Sequence, residues 1–193
     1  MIMVMVMSHE VKNAPYAPET NRDRTLYVKW ISIIEKDNKS NPSNSILSYN
    51  YAKTYFKDLK TPETVTIVGA FATPTIVSAL AEDMAYNHEK RLTDDAFWQV
   101  FDFTFIDGKP YTKADVDAGL RKVVINETIA RELFGSTNVT GKSILIDYTE
   151  HTVSGVVKDV STLATAAYAQ LWAPITSDKF SLHDEGIIGN NRV

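Results

Sequence analysis

The stretch FWQVFDFTFIDGKPYTKADVDAGLRKVVINETIARELFGSTNVTGKSILIDYTEHTVSGVVKD, Phe97–Asp159, decides the fold, because each element in it carries both a hydrophobic period and a stop signal. Thr93 stands as an N-cap, Asp94 and Asp95 suit the positive end of a helix, and Ala96, Phe97, Val100 and Phe101 share one helical face. Phe101, Phe103 and Phe105 then alternate with Asp102 and Thr104, the period of a half-buried strand, which the turn Asp107-Gly108-Lys109-Pro110 closes. Thr112 to Asp115 is a capping box that opens a short helix ended by Gly119. Lys122 to Ile125 reads as a buried strand, and Asn126 caps a helix whose Ile129, Ala130, Leu133 and Phe134 form a stripe. Gly135 supplies a left-handed stop. Beyond the loop at Gly141, Ser143 to Tyr148 and His151 to Lys158 make a hairpin with Asp147 to Glu150 at the turn.

Upstream, Thr25 to Glu35 alternates as a long strand, and Asp37 to Ser45 is a polar Asn/Ser/Pro loop. Ser48 caps a helix with Ala52, Tyr55, Phe56 and Leu59 on its core face, ending before Pro62. Thr64 to Phe71 is a β-branched strand that pairs with Thr75 to Leu80, and Met84 to Lys90 is polar and irregular, a crossing between two parts. Downstream, a Ser/Thr/Ala run over 161–169 precedes a short strand at Leu171 to Pro174, and Gly186 to Val193 starts another element. Met1 to Met7 is an apolar run, read either as an edge strand or tail or as the outer end of a transmembrane helix; Pro15 and Pro18 make the next segment an extended linker.

The chain has 193 residues, 44% of them hydrophobic, enough to bury a core without staples. A net charge of -4 disfavours nucleic acid as a partner. The absence of cysteine excludes thiol chemistry, disulfides and thiolate zinc sites. No run of about 18 apolar residues is present to span a bilayer.

Catalytic constellations are equally missing. His9, His88, His151 and His183 are widely spaced, and the reading is solvated loops, with His151 an exposed strand-end residue. Asp94-Asp95, Asp115-Asp117 and Glu82-Asp83 lie where helix starts and loops ordinarily place acids. No GxSxG, Walker or GxGxxG pattern occurs, so the sequence names no catalytic, metal or cofactor residues. Phe97, Phe101, Phe103, Phe105 and Phe134 suit core positions, whereas Trp98, Tyr111 and Tyr168 have open burial. Leu163 and Tyr168, in the small-residue segment, are the candidate partner contacts.

In order and spacing, FWQVFDFTFIDGKPYT, KVVINETIARELFG, the Gly141-Lys142 turn with ILI, and TVSGVVKDV resemble the MacB-like periplasmic core domain of FtsX-type ABC transporter permeases. Gly108, Asn126, Gly135, Gly141 and Gly155 are the structural positions of those blocks. Two positions depart: Gly108-Lys109 replaces the family's usual Gly-Arg, and Thr140 stands where a Pro is often found. The resemblance implies an α+β fold of two small α/β subdomains. Residues 1–23 would be the apolar start and linker, 24–83 plus 165–193 an outer porter-like subdomain, incomplete in this chain, and 84–164 an inserted lobe. It further implies a non-enzymatic extracytoplasmic domain on the periplasmic side of the bacterial inner membrane. Its partners would be membrane-embedded permease helices, a separate cytoplasmic ATPase that holds the ATP, a second permease in a dimer, and a periplasmic protein or lipoprotein. The alternative is a stand-alone periplasmic module binding a lipoprotein, peptide or glycan, which predicts an apolar pocket within one subdomain. An enzyme of the cell envelope would require convergent titratable groups.

Overall fold

A computed structural model describes residues 18–20, 22–28, 30–35, 38–80, 84–178 and 191–192. Met1 to Met7, most of the linker, Glu82-Asp83, His9, His183 and most of 186–193 lie outside the described residues. The strands are β1 (Ile31–Glu35), β2 (Asn38–Ser45), β3 (Val68–Gly69), β4 (Thr73–Ala79), β5 (Ala85–Thr93), β6 (Phe105–Gly108), β7 (Lys122–Asn126), β8 (Ser143–Ile146), β9 (Thr149–Val157), β10 (Leu171–Pro174) and β11 (Asn191–Arg192). The helices are α1 (Tyr49–Tyr55), α2 (Phe97–Val100), α3 (Lys113–Asp117) and α4 (Glu127–Phe134).

Six strands close on themselves. Along the main sheet the order runs β10-β7-β9-β8-β4-β5, and β10 also pairs in parallel with β5 through Leu171↔Lys90 and Ala173↔Leu92. The circuit is a small barrel, to which β6 adds beside β9, and β3 with β11 beside β5. Its registers agree all the way round. Val77 faces Tyr86 and Ile146, Ile144 faces His151, Val123 faces Val153, Ile125 faces Val156, and Leu171 faces both Ile125 and Lys90. Because directly opposed residues point to the same side of a sheet, one set of side chains lines the interior. That set supplies the core of Val77, Val123, Ile125, Ile144, Ile146, Val153, Val156 and Leu171. A barrel this narrow is filled by side chains, each aliphatic contributing ~1.5–3 kcal/mol on burial. α4 packs Ile129, Ala130 and Leu133 into the same core at the end toward which β7 and β9 run.

The opposite face of β7, β9 and β10 carries a second core, where Val124, Val157 and Trp172 meet Phe97, Phe101 and Tyr111. Here Trp98 stands edge-on to Phe97 at 5.2 Å and to Tyr111 at 5.4 Å, and Phe103 edge-on to Trp172 at 5.1 Å. Tyr111, of open burial in the sequence, is a core residue, its hydroxyl hydrogen-bonded to Thr93. A third cluster joins Leu47, Tyr49 and Ala52 to Ile67 and Ile175.

The helix signals hold in detail. Ser48 accepts from Tyr51 N, Thr112 and Asp115 form the reciprocal capping box, Asn126 Oδ1 accepts from Ile129 N at 3.0 Å, and Gly135 ends α4 at φ 64°. The hairpin β8–β9 forms with Asp147 and Tyr148 as its two turn residues, both at positive φ.

Several expectations fail for identifiable reasons. Thr93 is not a cap: it ends β5, and the neighbouring Asp94 accepts from Phe97 N at 3.2 Å. Phe101 and Phe103 lie ahead of β6 and serve the aromatic cluster by loop placement. Among the described residues of Thr25 to Glu35 the strand is Ile31–Glu35, and Asn38–Ser45, within the polar segment expected to be a loop, pairs with it as β2 in a separate two-stranded sheet. On α1, Ala52 is buried and Phe56 packs against its cluster, but Tyr55 and Leu59 are exposed, so the core face is narrower than the period suggests. Thr64 to Phe71 contributes two strand residues, and β4 pairs with β5 and β8 in its place. Met84 to Lys90, expected to be irregular, belongs mostly to β5, the strand that closes the barrel. The barrel takes β4 and β10 from one side of the 84–164 boundary and β5, β7, β8 and β9 from the other, so strand pairing crosses that line.

Candidate functional site

At the end away from α4 the barrel opens into a cavity of about 190 Å³. Lys90 and Leu92 reach it from β5, Ala173 from β10, His151 and Thr149 from β9, and Ile146 from β8. Arg121, just before β7, and Asp147, in the β8–β9 turn, stand at its edge with Ser177 and Asp178. The inward parity of the barrel therefore delivers hydrophobic residues to its middle and polar ones to its mouth.

Asp147 organises that mouth. Its carboxylate accepts from Thr75 Oγ1 at 2.6 Å, from Ile76 N at 3.0 Å and from Lys90 Nζ at 3.1 Å, and its own N–H donates to Ile76 O. Partial burial works against the charged form, but these three donors prevail and hold its pKa below the usual carboxylate value. Two successive non-glycine residues at positive φ, Asp147 at 48° and Tyr148 at 63°, make this turn a strained one, held by the ties to β4.

His151 is buried, at 8% exposure, which corrects the expectation of an exposed strand end. Its Nδ1 lies 2.9 Å from the carbonyl of Thr149. A carbonyl only accepts, so Nδ1 carries the proton and Nε2 is the acceptor of the neutral ring. Burial lowers the imidazole pKa, and the nearby Lys90 and Arg121 charges lower it further, against the raising effects of Thr149 and Asp147. His88, inward on β5, is likewise buried, with Nε2 2.9 Å from Glu132 of α4.

The remaining polar groups act as staples. Asp94 is buried and binds Lys57 Nζ at 2.5 Å, Thr66 Oγ1 at 2.6 Å and Ile67 N at 3.0 Å. Arg91, outward on β5, donates to the carbonyls of Tyr168, Gly69 and Thr165, tying the 161–169 loop to the barrel wall. Asp107 accepts from Val139 N, Thr140 N and Thr140 Oγ1, the hydroxyl bond being the main cause of its lowered pKa. Asp115, hydrogen-bonded by Lys122 and capping α3, is held at about 2.

Of the residues singled out in the sequence, Leu163 is 53% exposed and Tyr168 partly buried, both in the loop outside β10 and away from the cavity. Gly108 faces Gly155 across β6 and β9, Asn126 and Gly135 bound α4, and Gly141 precedes β8. None of them lines the mouth. Lys90, Arg121 and Asp147 were not legible as a site, because they lie on separate parts of the chain that only sheet pairing brings together. Among the described residues no group of three His, Asp or Glu is placed to hold a metal ion, and no helix is long and apolar enough to cross a membrane.

The family model of the MacB-like periplasmic core domain matches residues 1–189. An uncharacterized ABC transporter permease, YknZ of Bacillus subtilis (strain 168), is 26% identical over 113 residues, 55% of this chain and 28% of that protein. The chain thus spans less than a third of this curated relative. Among solved structures, the periplasmic region of MacB from Actinobacillus actinomycetemcomitans superposes with a TM-score of 0.60 at 18% identity, covering 77% of this chain and 64% of that one. The extracellular domain of the noncanonic ABC-type transporter YknZ from Gram-positive bacteria gives 0.58 at 16% identity, with 86% and 81% covered. These likenesses show a shared fold.

Proposed function

Since the chain belongs to the MacB-like periplasmic core domain family, the periplasmic part of an ABC transporter permease, we propose that it works as a non-catalytic body that passes ATP-driven motion from membrane helices to a periplasmic partner or exported substrate. The observation that carries this reading is the closed barrel with its stapled surroundings. A lever must move without deforming, and the circuit of strands, the Asp94 hub and the Arg91 ties all resist internal shear. On this reading a separate cytoplasmic ATPase subunit or domain hydrolyses ATP, permease helices anchor the domain, and two copies work against each other as a dimer. The loop carrying Leu163 and Tyr168 is the partner-facing surface, because Arg91 fixes it while leaving Leu163 exposed.

This chain has no native cysteine, so once any cysteine elsewhere in the transporter and its ATPase is replaced, labels can be placed in this domain alone. In the full-length transporter with its ATPase in nanodiscs, spin labels at Tyr148→Cys and Leu163→Cys, both exposed positions, report two distances. The distance within one copy stays constant between nucleotide-free and ATP-trapped states, while the distance between copies changes. An internal distance that shifts with nucleotide, or an intercopy distance that does not, overturns the lever reading.

A further inference from the structure

The cavity at the barrel mouth is not needed by a lever, and its chemistry points elsewhere. Barrel mouths are recurrent ligand sites, but about 190 Å³ is too small for a whole drug-sized ligand and suits a single polar head. Within it, Asp147 is already satisfied by Thr75, the Ile76 N–H and Lys90. Asp178 also engages a partner of its own. Lys90 has three donors and shows one bond, to Asp147, among the described residues. Arg121 is different: among the described residues its guanidinium has no hydrogen bond and no carboxylate partner, although it stands at the edge of the cavity. His151, with Nδ1 turned to Thr149, adds no positive charge in its neutral form. The mouth is thus a small recess that combines apolar lining from Leu92, Ile146 and Ala173 with one cation, Arg121, that has no counter-ion among the described residues.

We propose that this mouth binds a small anionic group, a carboxylate or a phosphate, with Arg121 as the forked anchor and Lys90 and the Thr149 hydroxyl as further donors. Guanidinium matches the planar carboxylate and the phosphate edge through paired N–H bonds, which a lone ammonium cannot reproduce. The turn at Asp147-Tyr148, fixed to β4, holds Lys90 in place before the ligand arrives, so little ordering remains to be done on binding.

The experiment is a 1H–15N titration of the whole chain with sodium phosphate and, separately, sodium acetate, each at ionic strength held constant with sodium chloride. Saturable shifts confined to amides of Lys90, Arg121, Thr149 and His151 are expected for at least one anion. Arg121→Gln weakens that binding about tenfold, the effect of removing one charge-assisted pair. Arg131→Gln, an equal loss of charge on α4 at the far end, leaves it unchanged. The tighter of the two anions identifies the head group as phosphate or carboxylate. Arg121 is exposed, so its variant keeps the wild-type melting temperature, and Lys90→Gln gives a second, independent loss. Shifts that fail to saturate, that spread over the surface, or that persist equally in Arg121→Gln overturn the proposal, as does saturable binding of calcium chloride in place of the anions.

Discussion

Replacing Gly108 by alanine should destabilise the domain by about 2–4 kcal/mol, several times the cost of the same change at Gly141. Both glycines have positive φ, 65° and 86°, where an L-residue costs roughly 1–2 kcal/mol. Part of that is offset by about 0.4–1 kcal/mol, because alanine also restricts the unfolded chain. At Gly141 nothing lies within 4 Å of the added methyl, so only this backbone balance remains. At Gly108 the methyl would sit within 3.0 Å of Ser154 O, Thr140 Oγ1 and Gly155 Cα. Ser154 O and Gly155 Cα are backbone and cannot rotate away, and Thr140 can do so only by breaking its 2.7 Å bond to Asp107. Overpacking of this kind adds ~1–3 kcal/mol. Urea unfolding at pH 7, followed through tryptophan fluorescence, to which the buried Trp172 contributes, measures both variants against wild type. A Gly108→Ala midpoint no lower than that of Gly141→Ala would refute the claim that close backbone approach fixes this position.

Asn126→Ala removes the cap on α4 and should lower stability by about 0.5–2 kcal/mol by the same urea assay, an unchanged curve sinking the assignment. For His151 the folded state prefers the neutral ring, so on acidification the unfolded chain takes up the proton first, near its ordinary value of about 6.5. Stability should therefore fall as pH drops from 7 through 6.5 towards the lower folded value and level off beneath it. His151→Gln should show a smaller loss between pH 7.5 and pH 5, and equal losses in both proteins would refute the claim that burial, helped by Lys90 and Arg121, disfavours the charged ring.

Legibility followed how locally each element is determined. α3, α4, β7 and the β8–β9 hairpin could be read because caps, left-handed glycines and β-branched runs act within a few residues. β5 could not, because two of its inward positions, His88 and Lys90, are polar, while its outward Arg91 is buried and serves carbonyls of distant loops. The alternation of apolar and polar residues that marks a half-buried strand is thereby erased. β2, with an Asn/Ser/Pro composition, is a strand through its pairing with β1, against its propensity. The neighbours Thr93 and Asp94 were equally good caps by type, and only the strand that runs through Thr93 separates them. The candidate site was the least legible part, since Lys90, Arg121 and Asp147 meet through register around a ring.

The pairing of β10 with β5 joins Leu171 to Lys90, residues far apart in the chain, and it sets an order on biosynthesis. As the polypeptide emerges, N-terminus first, on the side of the membrane where it folds, β4, β5, β7, β8 and β9 are all available before the strand that seals them. Until Pro174 emerges, β5 and β7 each present a free row of backbone donors and acceptors, the kind of surface that recruits strands from other chains. Any version of the chain stopped before Leu171 should accumulate as aggregate, and one that passes Pro174 covers both edges at the moment the ring shuts.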